Sequence, residues 1–244
     1  MLFAVYENYP PYSWEEAGQP RGVDIEIARL IAQDLGVKAR FNFVTAGENL
    51  EADLRNNIWK GALIGGRIAN VMMRIPYDSS FKCRVEQVVF TGQYSAESIA
   101  IAYDKASYPD EKPIPAYFRF DPVAVENDSI SDFYLGSFAR GQLSGKVHRY
   151  PDMSAAMAAL NAGETKAAMG PLAQLEFGLD DGTAVHQPQL TGFAVSKWTL
   201  GVAVNFSYRP LSYAVDDAVN YALQDGRIAK IYRSYGLSVQ PPDR

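Results

Sequence analysis

The sequence predicts an α/β protein built as two lobes, and three observations predict it. The chain has 244 residues, which at about 150 residues per domain allows one large domain or two modest ones. Strand-like and helix-like patterns alternate along it, the order that gives parallel-rich sheets flanked by helices. A run of small and polar residues at 93–98 interrupts that alternation and reads as a crossing between lobes. Hydrophobic residues make up 48% and charged residues 21%, the balance of a globular chain with a buried core, so disorder and fibrous repeats are excluded.

The first unit reads as strand, turn, helix, strand: residues 2–6, Tyr9-Pro10-Pro11-Tyr12, residues 24–35 and residues 38–44. In the helix, Ile27, Ala28, Ile31, Ala32 and Leu35 recur at spacings of three and four on one face. Asp24 is expected as its N-cap and Gly36 as the left-handed residue that ends it. A second helix is expected over 50–59, a strand over 70–73, an irregular segment over 76–84 and a strand over 87–90. Beyond the crossing come a strand at 99–103 and a Pro-rich loop at 108–115. The second lobe repeats the pattern with a strand at 122–125, the turn Asn127-Asp128-Ser129, a helix at 131–140, a strand at 146–150 and a helix at 154–160. Residues 166–169 and 193–195 are further strand candidates. A strand at 200–204 returns to the first lobe, and helices at 213–223 and 226–235, divided at Asp225-Gly226, pack back on it.

Composition excludes several function classes. Lys plus Arg total 23 against 28 for Asp plus Glu, a net charge of −5, so no nucleic-acid partner is expected. Cys83 is the sole cysteine, which rules out an intramolecular disulfide, and His148 and His186 are the only histidines. Neither a cysteine-rich zinc site nor a Ser/His/Asp set is expected from so few groups. Glu48, Glu51 and Asp53 lack the alternating ligands and central glycine of a calcium loop, so no metal is expected. No stretch reaches the roughly 18 apolar residues of a membrane span. The opening residues lack a basic region followed by an apolar one; a start almost directly on a strand is expected of an exported protein whose signal peptide is absent from the sequence.

Four groups of residues carry a resemblance. They are Asn8-Tyr9-Pro10-Pro11-Tyr12-Ser13 followed by Gly22-Val23-Asp24 and Ile27-Ala28; Arg84 six residues before Phe90; Ala159-Leu160-Asn161-Ala162-Gly163; and Asp225-Gly226 with Ile228-Ala229-Lys230-Ile231-Tyr232. In this order they resemble the periplasmic amino-acid-type (family 3) solute-binding proteins of ABC importers, over nearly the whole chain. The resemblance implies the type II periplasmic-binding-protein fold: two α/β lobes, each a sheet flanked by helices, joined by a two-stranded hinge and closing over a ligand in the cleft. Carried onto this chain, lobe 1 is residues 1–94 plus 196–244, lobe 2 is residues 95–195, and the crossings lie near 93–98 and 190–196. It further implies a monomeric periplasmic receptor that hands a small solute to an ABC permease in the inner membrane and performs no chemistry. Glu7 is the one acid worth testing for a catalytic role, and an exposed loop position is the plainer reading of it.

The resemblance also points to site residues. Arg84 matches the arginine that clamps a ligand carboxylate, since a guanidinium offers two parallel donors to two oxygens; Arg74, just past the 70–73 strand, is a second candidate. Ser129 and Ser131 open a helix whose first N–H groups either bind an anionic oxygen with the help of the helix dipole or are simply capped. Receptors for α-amino acids place an aspartate where this chain reads Gly170-Pro171, and a hydroxyl where it reads Phe81. A short insertion of about two residues lies between Met73 and Arg84. An ordinary amino acid is therefore not expected. Aromatic residues stand in instead, with Tyr9, Tyr12, Trp14, Tyr77, Phe81 and Tyr94 as candidates, and stacking selects flat ligands. Asn8, Tyr12, Tyr77, Phe81 and Pro171 complete the expected ligand-binding set. The altered site is similar to that of fold variants serving quinoprotein alcohol dehydrogenases in methanol-oxidising bacteria. This implies either pyrroloquinoline quinone as bound ligand or a non-transport accessory role beside a periplasmic dehydrogenase; no cofactor is required.

Overall fold

The computed structural model describes residues 1–63, 65–193 and 195–243, with the backbone alone for Ser79 and Ser80. The chain divides into two compact units, Met1–Ala96 with Trp198–Arg244, and Glu97–Lys197.

In the first unit, β1 (Leu2–Tyr6) pairs in parallel with β4 (Arg40–Val44) and with β5 (Val71–Pro76). β11 (Lys197–Asn205) then lies antiparallel to β5, and the first part of β6 (Val88–Asp104) follows it, giving the order β4-β1-β5-β11-β6. A small hairpin, β2 (Trp14–Glu16) with β3 (Gln19–Arg21), stands apart. Helix α1 (Val23–Asp34) buries Ile27, Ala28, Ile31 and Ala32 of the face its spacing predicts, and Ile25 and Leu30 besides, while Leu35 is half-buried at its end. It ends in a Schellman turn: Val37 N–H donates to the Ala32 carbonyl, Gly36 N–H to Gln33, and Gly36 takes φ +67°. Its start differs from expectation. The N-cap is Gly22 at φ +120°, where a Cβ would stand 2.1 Å from the Tyr12 carbonyl oxygen, so only glycine fits. Asp24 is instead buried one residue inside the helix.

The expected helix at 50–59 forms as α2 (Leu50–Leu54), capped by Asn49 and widening into a π-turn at Arg55–Trp59. Leu54 and Ile58 from this segment pack with Ala4, Met72, Ile75 and Phe90 in the core; truncating either to alanine costs about 2–5 kcal/mol. The segment expected to be irregular contains a short helix, α3 (Ser79–Arg84), because Asp78 accepts the Phe81 N–H at 2.7 Å and nucleates the turn. Helices α7 (Arg209–Gln224) and α8 (Arg227–Ser234) pack on α1.

In the second unit, the later part of β6 pairs antiparallel with β9 (Ala167–Pro171) and with β10 (Thr183–His186). β7 (Val123–Glu126) lies parallel to β9 and to β8 (Val147–Tyr150). Helices α4 (Ile130–Ser137), α5 (Met153–Asn161) and α6 (Leu172–Gly178) belong to this unit. Its core sets small strand residues, Ala100, Ala102, Ala124 and Ala168, against Met153, Met157, Leu160 and Leu175 from the helices. Small residues on the sheet let large helix side chains come close: a Cβ on Gly170 would meet the Met153 sulfur at 2.2 Å.

Three further expectations need correcting. Residues 91–98 do not break the chain: β6 is one strand of 17 residues, since Gly92, Ser95 and Ala96 fit a paired strand as well as a linker does. The helix expected at 131–140 stops at Ser137, where Ala139 and Arg140 turn left-handed at φ +49° and +61°. Of the strand candidate at 193–195, Ala194 lies outside the described residues, and Phe193 and Val195 belong to no strand. No helix among the described residues is long and apolar enough to cross a membrane.

Candidate functional site

The turn after β1 closes tightly through reciprocal backbone bonds between Tyr9 and Ser13, at 2.8 and 2.9 Å. Asn8 sits exposed at its mouth with φ +49°, while Tyr12 is buried. The Tyr12 ring lies beneath the Arg74 guanidinium, whose carbon is 3.1 Å from the ring centroid, so charge and ring quadrupole attract at short range. Arg74 Nε donates to Asp24 Oδ2 at 2.8 Å, and the Tyr94 hydroxyl donates to Asp24 Oδ1 at 2.8 Å.

This cluster is dry: Asp24 is 1% exposed and Arg74 8%. Burial pushes the Asp24 carboxyl up, against the pull of Arg74 and the Tyr94 hydroxyl. Burial also works against the Arg74 charge, but Asp24 and the surrounding tyrosines outweigh it and hold the guanidinium protonated. Arg74 therefore differs from its expected setting. It lies within β5 rather than past its end, in a left-handed conformation at φ +59°, and its charge is matched inside the unit by Asp24. The role of Asp24 was misassigned because an acid at a helix start reads as a cap; its partner lies 50 residues away.

The other first-unit candidates gather on and before α3. Tyr77 and Phe81 are half-buried against the core, Phe81 edge-on to Phe90 with centroids 5.7 Å apart. Lys82 Nζ donates to the Tyr77 hydroxyl at 3.1 Å. Arg84, the last residue of the helix, is exposed, with its guanidinium 5.5 Å from the Phe81 ring centroid and no carboxylate partner among the described residues. Lys82 and Arg84 both lie in the last turn of α3, where cations complement the helix C-terminus.

In the second unit, Ser129 is the N-cap of α4, its Oγ accepting the Asp132 N–H at 3.2 Å. Asp132 takes the Asp128 N–H at 3.2 Å and a two-pronged bond from Arg149 at 3.0 and 2.9 Å. Of the first N–H groups of α4, that of Asp132 is thus met by Ser129 Oγ and that of Phe133 by the Ser129 carbonyl. Ser131 is fully buried, and its Oγ has no partner among the described residues. Pro171 ends β9 and caps α6.

The sequence reading passed over Glu97. It projects from β6 beside the Gly170-Pro171 position, is 4% exposed, and accepts the Ser98 N–H at 3.2 Å and the Ala173 N–H at the start of α6 at 3.5 Å. Its signal was an acid set among Ala96, Ser98, Ile99 and Ala100, discounted because the stretch read as a linker.

The model of the bacterial extracellular solute-binding proteins, family 3, matches residues 1–238. Among solved structures, an ancestral cationic amino acid solute-binding protein, AncCDT-1, superposes with a TM-score of 0.76 at 19% identity, covering 96% of this chain and 95% of that one. The GluR0 ligand-binding core in complex with L-glutamate gives 0.68 at 15% identity, covering 96% and 97%. A histidine kinase sensor domain similar to periplasmic binding proteins gives 0.64 at 19% identity, covering 99% and 97%. A search of curated protein sequences gives no match. At these identities the structural likeness speaks for a two-lobed binding-protein fold.

Proposed function

Since the chain belongs to the bacterial extracellular solute-binding proteins, family 3, we propose that it captures a small carboxylate-bearing solute outside the cytoplasm and hands it to an ABC permease. The observation that carries this reading is the contrast between the two arginines: Arg74 is buried and paired with Asp24, whereas Arg84 is exposed and lacks a carboxylate partner among the described residues. A guanidinium in that state is a ready bidentate donor for a carboxylate. Tyr77 and Phe81, just before it, supply apolar surface against which the body of a planar acid can lie.

The neighbours whose names specify a ligand take amino acids. Gly170-Pro171 itself carries no acid, and the Glu97 carboxylate beside it is buried and engaged by the Ser98 and Ala173 N–H groups, which supports a solute defined by its carboxylate rather than by an α-ammonium group. Capture rather than catalysis is supported by the setting of Glu7, which is exposed and accepts the Thr45 hydroxyl. The alternative, a planar polycarboxylate such as pyrroloquinoline quinone and with it service to a periplasmic dehydrogenase, draws on the resemblance to the quinoprotein-associated variants and on retained arginines without the amino-group acid. Pairing of Arg74 with Asp24 removes one of the two cations, which favours a monocarboxylate.

The test is a thermal-shift screen of amino acids, small di- and tricarboxylates, aromatic acids and pyrroloquinoline quinone. A ligand at 100 times its dissociation constant adds about 2.7 kcal/mol, a shift of several degrees. A monocarboxylate hit abolished in Arg84→Ala supports the reading. A hit indifferent to Arg84, or silence together with a stable complex with a periplasmic dehydrogenase, overturns it.

A further inference from the structure

The chain passes from the first unit to the second between Ala96 and Glu97 and returns between Lys197 and Trp198. The segment that follows α8 reaches both of these strands, β6 and β11, on their first-unit side. Leu237, 3% exposed, anchors its start, and its N–H donates to the Tyr232 carbonyl at 3.1 Å. On β6, the Gln240 carbonyl takes the Ala96 N–H at 2.9 Å and the Ser95 hydroxyl at 3.1 Å. On β11, the Asp243 N–H donates to Thr199 Oγ1 at 3.2 Å, and the Thr199 hydroxyl donates to the Asp243 carbonyl at 3.4 Å. Ser95, Ala96 and Thr199 are all buried, so these polar groups are met by the segment rather than by solvent. Between the two contacts stand Pro241 and Pro242, which lack N–H groups and restrict φ, so the link is stiff. The Thr199 carbonyl in turn takes the Tyr77 N–H at 2.8 Å, which carries the tie on to the residues before α3. The family match ends at residue 238, so Gln240 and Asp243 lie beyond the part of the chain it covers.

We propose that residues 240–243 are a strap that fixes the first-unit ends of both crossing strands and so limits how freely the two units move about them. A strand held at Ala96 bends only after it, and one held at Thr199 only before it, which confines flexing to the few residues at each crossing. Hinge motion needs such residues to absorb the change in φ and ψ. Without the strap, Ser95, Ala96 and Thr199 lose their partners, local opening becomes easier, and the flexible length of both strands grows into the first unit. The strap acts whether or not a solute is bound, and it does not depend on the role assigned to Arg84.

The experiment compares the full chain with a chain ending at residue 238 and with Thr199→Val, all without added solute. Amide hydrogen exchange reads the strand ends. Double electron–electron resonance between spin labels on Glu51→Cys and Asp181→Cys, both exposed and one in each unit, reads the spread of distances between the units in a Cys83→Ser background. In the shortened chain the Ala96 amide is expected to exchange about tenfold faster or more, and the distance distribution to broaden. Thr199→Val, which removes one tie and keeps the chain's length, is expected to broaden it less, and it decides the matter where the shortened chain does not fold. An unchanged distance distribution in the deciding variant overturns the proposal even if exchange at Ala96 is faster, because the segment is then only a local support. Equal exchange at Ala96 in the full and shortened chains overturns it as well.

Discussion

Replacing Asp24 by asparagine tests the interior of the first unit. The substitution keeps shape and hydrogen-bonding capacity but takes away the charge that faces Arg74 at 2.8 Å, with both side chains under a tenth exposed. In water such a pair contributes little. Removing one partner of a buried pair leaves the other charge desolvated, at about 3–5 kcal/mol. Tyr94 adds to the cost, since its hydroxyl, which donates to Asp24 Oδ1, must then bond an amide oxygen. At about 2–4 °C per kcal/mol for a chain of this length, the melting temperature of Asp24→Asn falls by roughly 6–20 °C. The assay is thermal and urea unfolding of the wild type, Asp24→Asn, Arg74→Met and the double variant. Because the two residues form one unit, the double variant loses less than the sum of the singles. A loss below about 1 kcal/mol in Asp24→Asn, or strict additivity in the cycle, refutes the picture of a dry, coupled pair.

Other outcomes follow from single contacts. Ser129→Ala removes the oxygen that takes the Asp132 N–H and lowers stability by about 0.5–2 kcal/mol; Ser129→Asp, which can cap, retains it in urea melts. Burial, with Lys112 nearby, holds His186 below the ordinary histidine range against the opposing bond to the Pro113 carbonyl. The unfolded chain then takes up that proton at higher pH than the folded one, so the contribution is full above the ordinary range and is lost as pH falls through about 6.5. His186→Gln flattens that limb of the stability profile between pH 7.5 and 5; an unchanged slope places the acid sensitivity elsewhere. Gly22→Ala, with its Cβ 2.1 Å from the Tyr12 carbonyl, fails to give soluble folded protein, and a normal melt shows that the α1 entry is more pliant than described.

Much of the fold was legible because its elements carry local signals. The α1 face, the Gly36 stop, the strand at 2–6 and the Asp225-Gly226 division of the last helices follow from spacing and turn chemistry alone. What failed to show was non-local. β6 read as two strands and a linker because its polar centre is satisfied by partners distant in sequence, such as Gln240, whose carbonyl takes the Ala96 N–H at 2.9 Å. Helix α6 was passed over because it is seven residues long, too short for a period to register. For the candidate site, sequence named Arg74, Tyr12 and Arg84 but could not say which arginine holds an internal counter-charge. That depends on Asp24 and Tyr94 meeting Arg74 across the unit. Glu97 went unnoticed for the same reason, as its setting beside Pro171 is created by strand pairing.

The measurement that bears most directly on the central claim is isothermal titration of the best-shifting monocarboxylate into wild type, Arg84→Ala and Arg84→Lys. If Arg84 clamps the carboxylate, alanine weakens binding by roughly 2–4 kcal/mol. Lysine, which keeps the charge but not the two-pronged geometry, recovers part of it. Equal affinity in all three proteins, with the ligand still bound, contradicts the assignment of Arg84 and the carboxylate-led reading of what this protein captures.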